Sequence, residues 1–299
     1  MTTLAKNLAG DLGRVGVWSS ALRSEDPARR TEIADAAREL DELGYGTIWL
    51  GSGPGVRQAV PVLEATSRIT VATGILSIWV HEAADAADQF AEVNAAHGGR
   101  FVLGLGVSHD ALTDRYQRPY SAMRDYLSAL DAATTPVPAD RRVLAALGPR
   151  MLELARDRAG GAHPYLVTVE HTAQARATLG SATVLAPELK VVLDPDLARA
   201  RATARAYLSY YLVLPNYTNN LLRLGFTEDD FRDGGSDRLL AEVFALGDAE
   251  VIRARAEDYL AAGADHLALQ VVTDNPIDDI PLPAYRTLAD ALGLTGHDG

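Results

Sequence analysis

Residues 69–106 read ITVATGILSIWVHEAADAADQFAEVNAAHGGRFVLGLG, and this stretch decides the fold. Ile69 to Ile75 is a short apolar run of β type. Ala83 to Ala96 repeats its apolar residues at helical spacing and is closed by Gly98-Gly99, after which Arg100 to Gly106 is apolar again. Two strands joined through a helix lie side by side in parallel, because a parallel pair needs a crossover and cannot be made by a tight turn.

The same unit extends in both directions. Arg14 to Ser19 holds Val15, Val17 and Trp18. Asp26-Pro27 then supplies an N-cap and a first-turn proline before Ile33, Ala37, Leu40 and Leu43, and Gly44 ends that helix. Tyr45 to Leu50 is the next strand, Gly51-Ser52-Gly53-Pro54-Gly55 a turn-rich loop, and Ala59 to Ser67 a short helix. Downstream, Met123 to Ala133 leads to Val143–Leu147, Pro149 to Ala159 to Ala162–Val167, and Thr172 to Leu179 to Val184–Leu193. Val251 to Ala262 leads to His266–Val272, and a last helix spans about Pro283 to Leu292. About eight strands with no break in composition predict a single (β/α)8 TIM-barrel domain over residues 1–299, its barrel at about 13–295. An open doubly wound sheet also alternates, but no complete G-x-G-x-x-G follows the first strand. Asp194 to Asp248 is too long for one crossover and rich in tyrosine, so it is read as extra helices between strands 7 and 8 that cap one barrel end.

Composition narrows the function. The chain has 299 residues and a net charge of −12, from 28 basic and 40 acidic side chains, without a long basic block. Phosphate backbones are repelled, so nucleic acid is not an expected partner. With no cysteine there is no disulfide framework, thiolate metal site or thiol nucleophile, which suits a cytoplasmic protein. Met1 to Gly10 matches neither a signal peptide nor a span, so no membrane partner is expected. Asn216-Tyr217-Thr218 fits a glycosylation pattern that a cytoplasmic chain would not use.

In a barrel of this kind chemistry sits where the βα loops converge, at the C-terminal ends of the strands. The candidates are Trp18 and Ser19, Gly51-Ser52, Gly74 to His81, Val107-Ser108-His109-Asp110, Gly148-Pro149-Arg150-Met151 and His163-Pro164-Tyr165. At Gly148 to Met151, glycine lets a ligand approach, proline presets the first helical turn, and free amides with Arg150 attract an anion; the plain alternative is a β-to-α turn with a surface arginine. His109 places an imidazole just above strand 4, where it either moves a proton or bonds to water. Chain neighbours such as Ser108, His109 and Asp110 do not make a triad, and His81-Glu82 lacks the second histidine of a zinc-protease motif, so no metal site is expected. Trp49 is mid-strand and reads as core, whereas Trp18 and Trp79, at strand ends, either flank a flat ligand or belong to the core as well. Tyr207, Tyr210 and Tyr211 have the spacing of a helix packing face.

Several strings, taken in order, resemble the luciferase-like family of flavin- and deazaflavin-dependent oxidoreductases, and in particular its actinobacterial branch that uses coenzyme F420. They are Gly44-Tyr45-Gly46-Thr47-Ile48-Trp49-Leu50, Thr66 to Ile75, Arg100 to His109, Leu147 to Leu152, Gly161-Ala162-His163-Pro164-Tyr165 and Ala261 to His266. The likeness implies a barrel, usually a homodimer, that holds a deazaflavin or isoalloxazine ring at the strand C-termini. It implies a bulge with a cis non-proline peptide at Gly74-Ile75 against one ring face, ring-edge contacts at Val107 and Ser108, and phosphate contacts at Gly148 to Met151. Ser52 and His163 are added as cofactor contacts, and Trp18, Trp79 and Tyr217 as substrate contacts. It also implies an imidazolium at His109 as proton donor, with His81 and His163 in reserve.

The expected function is therefore an F420-dependent oxidoreductase that moves a hydride to or from a C=C, C=N or C=O bond of a small-molecule substrate. The alternatives are an FMN-dependent monooxygenase of the same fold and a barrel that has lost its cofactor. The loop Gly51-Ser52-Gly53 lacks the acidic or histidine residue that many relatives carry after strand 2, which argues against a sugar-phosphate substrate.

Overall fold

A parallel strand covered on both faces must be apolar throughout. Val15–Ser19 (β1), Thr47–Gly51 (β2), Thr70–Gly74 (β3) with its continuation Leu76–Ser77 (β4), and Phe101–Gly106 (β5) are buried at every position. They belong to a computed structural model that describes residues 3–109, 114 and 116–294. Asp110 and the expected barrel limit at residue 295 lie outside the described residues.

The strands form a closed ring. β1 pairs with β2, β2 with β3, and β3 and β4 with β5. β5 pairs with Arg142–Leu144 (β6), β6 with Gly161–Ala162 (β7) and β7 with Val184–Leu185 (β8). The chain continues through Ala186-Pro187 into Glu188–Leu193 (β9), and β9 pairs with both Phe244–Gly247 (β10) and Leu267–Val271 (β11). β11 returns to β1 at Val15↔Leu267. With β8 and β9 counted as one interrupted strand, the wall is an all-parallel (β/α)8 barrel.

Thr3–Leu12 (α1) precedes the barrel, and its end plugs the N-terminal face. Leu8 and Leu12 join the interior cluster of Trp18, Trp49, Ala72, Val102 and Val143. The terminal carbonyls of α1 accept hydrogen bonds from strand starts, Leu12 O from Thr47 Oγ1 at 2.6 Å and Asp11 O from Thr70 Oγ1 at 2.8 Å. Sequence reading assigned this segment no helix. The outer ring consists of Arg30–Glu42 (α2), Val60–Ala65 (α3), Ala83–Ala96 (α4), Pro119–Asp131 (α5), Pro149–Arg158 (α6) and Val169–Leu179 (α7). The insertion supplies Leu197–Tyr211 (α8), Pro215–Arg223 (α9) and Asp237–Val243 (α10), and Ala249–Ala261 (α11) and Leu282–Ala291 (α12) complete the ring. No helix of the described residues is long and apolar enough to cross a membrane.

Two expectations need correction. The sixth strand, expected over Ala162–Val167, pairs only at Gly161–Ala162, because Pro164 has no N–H to give a ladder and Leu166 holds a left-handed φ of 54°. The insertion is not purely helical. Where the seventh strand outruns the short sixth, its edge would be open, and β10 covers it from Phe244↔Lys190 to Gly247↔Leu193.

Candidate active site

The strand C-termini open into a cavity of about 700 Å³. One wall is built from strand ends that have no side chain. A Cβ at Gly51 would lie 2.3 Å from Trp18 Cη2, one at Gly74 2.9 Å from Trp18 Nε1, and one at Gly106 2.4 Å from Ile75 Cδ1. The Trp18 indole fills the space over β2 and β3, donates from Nε1 to Gly74 O at 3.1 Å, and tilts against Tyr165 with ring centres 5.4 Å apart. The Gly74–Ile75 peptide is cis, as the resemblance implied, and Ile75 sits over Gly106. Ser52 and Ser108, each just beyond a strand, hold left-handed φ values of 59° and 55°, a region that side chains rarely adopt outside constrained sites.

Opposite this wall stands the N-terminus of α6. The Met151 and Leu152 amides both turn back to Gly148 O at 3.1 Å. This leaves the Arg150 amide as the first-turn donor without a backbone acceptor among the described residues. The Arg150 guanidinium lies 4.2 Å over the Tyr120 ring. Arg223 approaches the same turn from α9, where Asn220 Oδ1 accepts from its Nη2 at 3.0 Å. Amides, helix dipole and two guanidiniums make this end electropositive.

The insertion closes the remaining side. His109 stacks at a tilt on Tyr217, ring centres 5.0 Å apart, and its Nδ1 lies 3.2 Å from Asn216 Nδ2. Burial pushes its pKa below the ordinary histidine value, which favours the neutral imidazole over the imidazolium that the resemblance implied. Deeper in the barrel, His163 stacks on Trp49 at 4.2 Å and 5°, and its Nδ1 faces Ala186 O at 2.7 Å. A carbonyl only accepts, so Nδ1 carries the proton. Burial lowers the pKa of this ring to about 4, and Nε2 is a buried acceptor without a partner among the described residues.

Trp18, Ser52, Gly74, Ile75, Val107, Ser108, His109, Gly148 to Met151, His163 and Tyr217 all line this one cavity. His81 and Trp79 do not. The His81 ring packs toward Gly55, and Trp79 Nε1 donates to Val107 O from behind the loop. Sequence reading missed a polar cluster beneath the cavity. Tyr165, Tyr207 and Tyr211 bring their hydroxyls within 2.7 to 3.0 Å of one another, and Tyr165 donates to Gln270 Oε1 at 2.8 Å. Below them Lys190 Nζ donates to Glu188 Oε2 at 2.6 Å and sits 3.6 Å under the Tyr165 ring. The available signal was Glu188-x-Lys190 in an otherwise apolar strand, since alternate residues share a face. Thus Tyr207 and Tyr211 serve more than helix packing.

A model of the family described as luciferase-like monooxygenase matches residues 12–266. A 5,10-methylenetetrahydromethanopterin reductase of Methanolobus tindarius is 23% identical over 217 residues, 60% of this chain and 67% of that protein. An F420-dependent secondary alcohol dehydrogenase, solved in complex with an F420-acetone adduct, superposes with a TM-score of 0.70 at 14% identity, covering 95% of this chain and 99% of its own. The oxygenating constituent of 3,6-diketocamphane monooxygenase from the CAM plasmid of Pseudomonas putida, solved with FMN, does so with a TM-score of 0.65 at 13% identity, covering 92% and 95%. At these identities the two solved structures show a shared fold.

Proposed function

The chain belongs to the luciferase-like monooxygenase family, and from that premise we propose an oxidoreductase that uses coenzyme F420 to move a hydride to or from a small organic substrate. One observation carries this reading: a single cavity joins an apolar wall faced by Trp18 and Ile75, an electropositive helix end and an imidazole. The residues fit the coenzyme. Trp18 and Ile75, seated on the glycines at the strand ends, present an apolar face to the cavity with Val107 and Ser108 beside it, and the buried His163 Nε2 accepts a hydrogen bond from a donor on the ligand. Gly148 to Met151, with Arg150 and Arg223, hold the anionic tail.

When bound, the deazaflavin supplies or takes the hydride. His109 delivers the matching proton to the atom on which negative charge develops, and it does so as a neutral N–H donor. Trp18 and Tyr217 bound the substrate space and keep water from it.

Titration of the purified protein with oxidised deazaflavin tests the reading, with a dissociation constant on the order of micromolar expected. No binding at 10²-fold higher concentration, roughly 100 times that constant, overturns it. An FMN-dependent monooxygenase would use the same helix end for its phosphate. Tight FMN binding with substrate-dependent oxygen uptake and no response to deazaflavin selects that alternative.

A further inference from the structure

The insertion between β9 and β10 does more than cover the barrel. We propose that Asn216, in the first turn of α9, is a positioning residue that fixes His109 as the Nε2–H tautomer and so presents the proton used in the reaction; this rests on the role given to His109 above. The argument starts from an acceptor that cannot change roles. Ser108 O is a carbonyl, and Asn216 Nδ2 lies 3.3 Å from it, so the amide nitrogen and not the amide oxygen must face the loop. The same nitrogen lies 3.2 Å from His109 Nδ1. An amide nitrogen only donates, and of its three neighbours the imidazole nitrogen is the nearest, with Ser108 O at 3.3 Å and Tyr116 Oη at 3.4 Å.

His109 Nδ1 must then be the acceptor, which leaves the ring proton on Nε2. The outer side of the amide is held as well. Tyr116 Oη lies 3.4 Å from Asn216 Nδ2 and 3.5 Å from Oδ1, so it meets the amide edge on both atoms, and the orientation of the amide rests on Ser108 O. Tyr217, the next residue of the helix, stacks on the His109 ring and sets its plane. Ser108 contributes through its left-handed backbone, which orients its carbonyl toward α9. One helical turn therefore fixes both the plane and the protonation site of an imidazole carried by a different element.

The test compares Asn216→Asp with Asn216→Leu in the full chain. Nitrogen-15 NMR of the imidazoles, assigned by difference from His109→Ala and recorded at pH 9 where the ring is neutral, reads the tautomer directly. The wild type is expected as Nε2–H. Asn216→Asp has nearly the same shape but can only accept, so the proton moves to Nδ1, and turnover at pH 9 falls about 10²-fold with coenzyme affinity unchanged. Asn216→Leu removes the bias without inverting it, and turnover falls less than in Asn216→Asp. An Nδ1–H wild type, or an Asn216→Asp protein with unaltered tautomer or unaltered turnover, overturns the proposal. A wild type that shows the Nε2–H form and its inversion in Asn216→Asp, yet binds no deazaflavin, upholds the positioning role and refutes the coenzyme instead.

Discussion

Glu188→Gln is the most informative single perturbation of the fold beneath the site. Glu188 and Lys190 lie on the same face of β9 with side-chain exposures of 1% and 0%, and Glu188 Oε2 accepts from Lys190 Nζ at 2.6 Å and from Leu166 N at 3.3 Å. Glutamine keeps the volume and removes the charge, leaving an ammonium in the barrel without a counter-charge. Breaking one side of a buried pair costs about 3–5 kcal/mol. The Tyr165 ring face, 3.6 Å from Nζ, is present in wild type and variant alike and so offsets none of this. A loss of about 3 kcal/mol at pH 7 is therefore expected in urea unfolding. Burial lowers the Lys190 pKa from 10.5 to about 8, so the folded state holds that proton more weakly than the unfolded chain. The resulting penalty is full below pH 8 and vanishes as pH rises through 10.5. Without Glu188 the folded value falls further and the variant sheds its charge earlier, so its deficit against wild type shrinks between pH 7 and pH 10. The double variant Glu188→Leu, Lys190→Met should be near wild type in stability, because apolar side chains of similar volume avoid the desolvation cost altogether. A Glu188→Gln protein within about 1 kcal/mol of wild type at pH 7, or a double variant as unstable as the single one, would refute the reasoning.

His109→Ala should slow turnover by about 10²-fold with coenzyme affinity intact, and an unchanged rate clears that residue. Because burial depresses the His109 pKa and the neutral ring still carries Nε2–H, turnover should not decline as pH rises from 6 to 8 on account of this group; a decline there would show that the imidazolium is the donor. Gly51→Ala puts a methyl group 2.3 Å from Trp18 Cη2, which should displace the indole, shift its fluorescence and cost about 1–3 kcal/mol of overpacking. Unaltered emission and stability would mean that Trp18 is not wedged there. Arg150→Ala should weaken deazaflavin binding by roughly 10-fold or more through loss of a charge-assisted contact, and the loss should be smaller at high salt. Equal affinity in titration places the anionic tail elsewhere.

The barrel was legible because its wall strands are mostly apolar runs punctuated by helices with clear stops, as at Gly44 and Gly98-Gly99. The anion end was legible for a similar reason, since Gly148-Pro149 is a local device whose meaning does not depend on distant residues. What escaped depends on contacts far apart in the chain. The tautomer of His109 is set by a residue 107 positions away, and Tyr165 meets Tyr207 and Gln270 across separations of 42 and 105. β10 was invisible because Phe244–Gly247 is short and becomes a strand only where β7 ends early and leaves an edge to cover.

These three missed features belong to one segment. β10 extends the wall beside β9, the α8 tyrosines Tyr207 and Tyr211 seal Lys190 and Glu188 from the cavity, and the first turn of α9 grips His109. The strand-end glycines, Trp18 and the helix end come from the repeating β/α units, whereas Tyr210, Tyr211, Leu214, Asn216 and Tyr217 on the far side of the cavity come from the insertion. A fold that separates its generic parts from its particular ones in this way can change substrate by altering the insertion alone. The wall strands that position the glycines and α6 make their pairings without it, apart from the one edge that β10 covers.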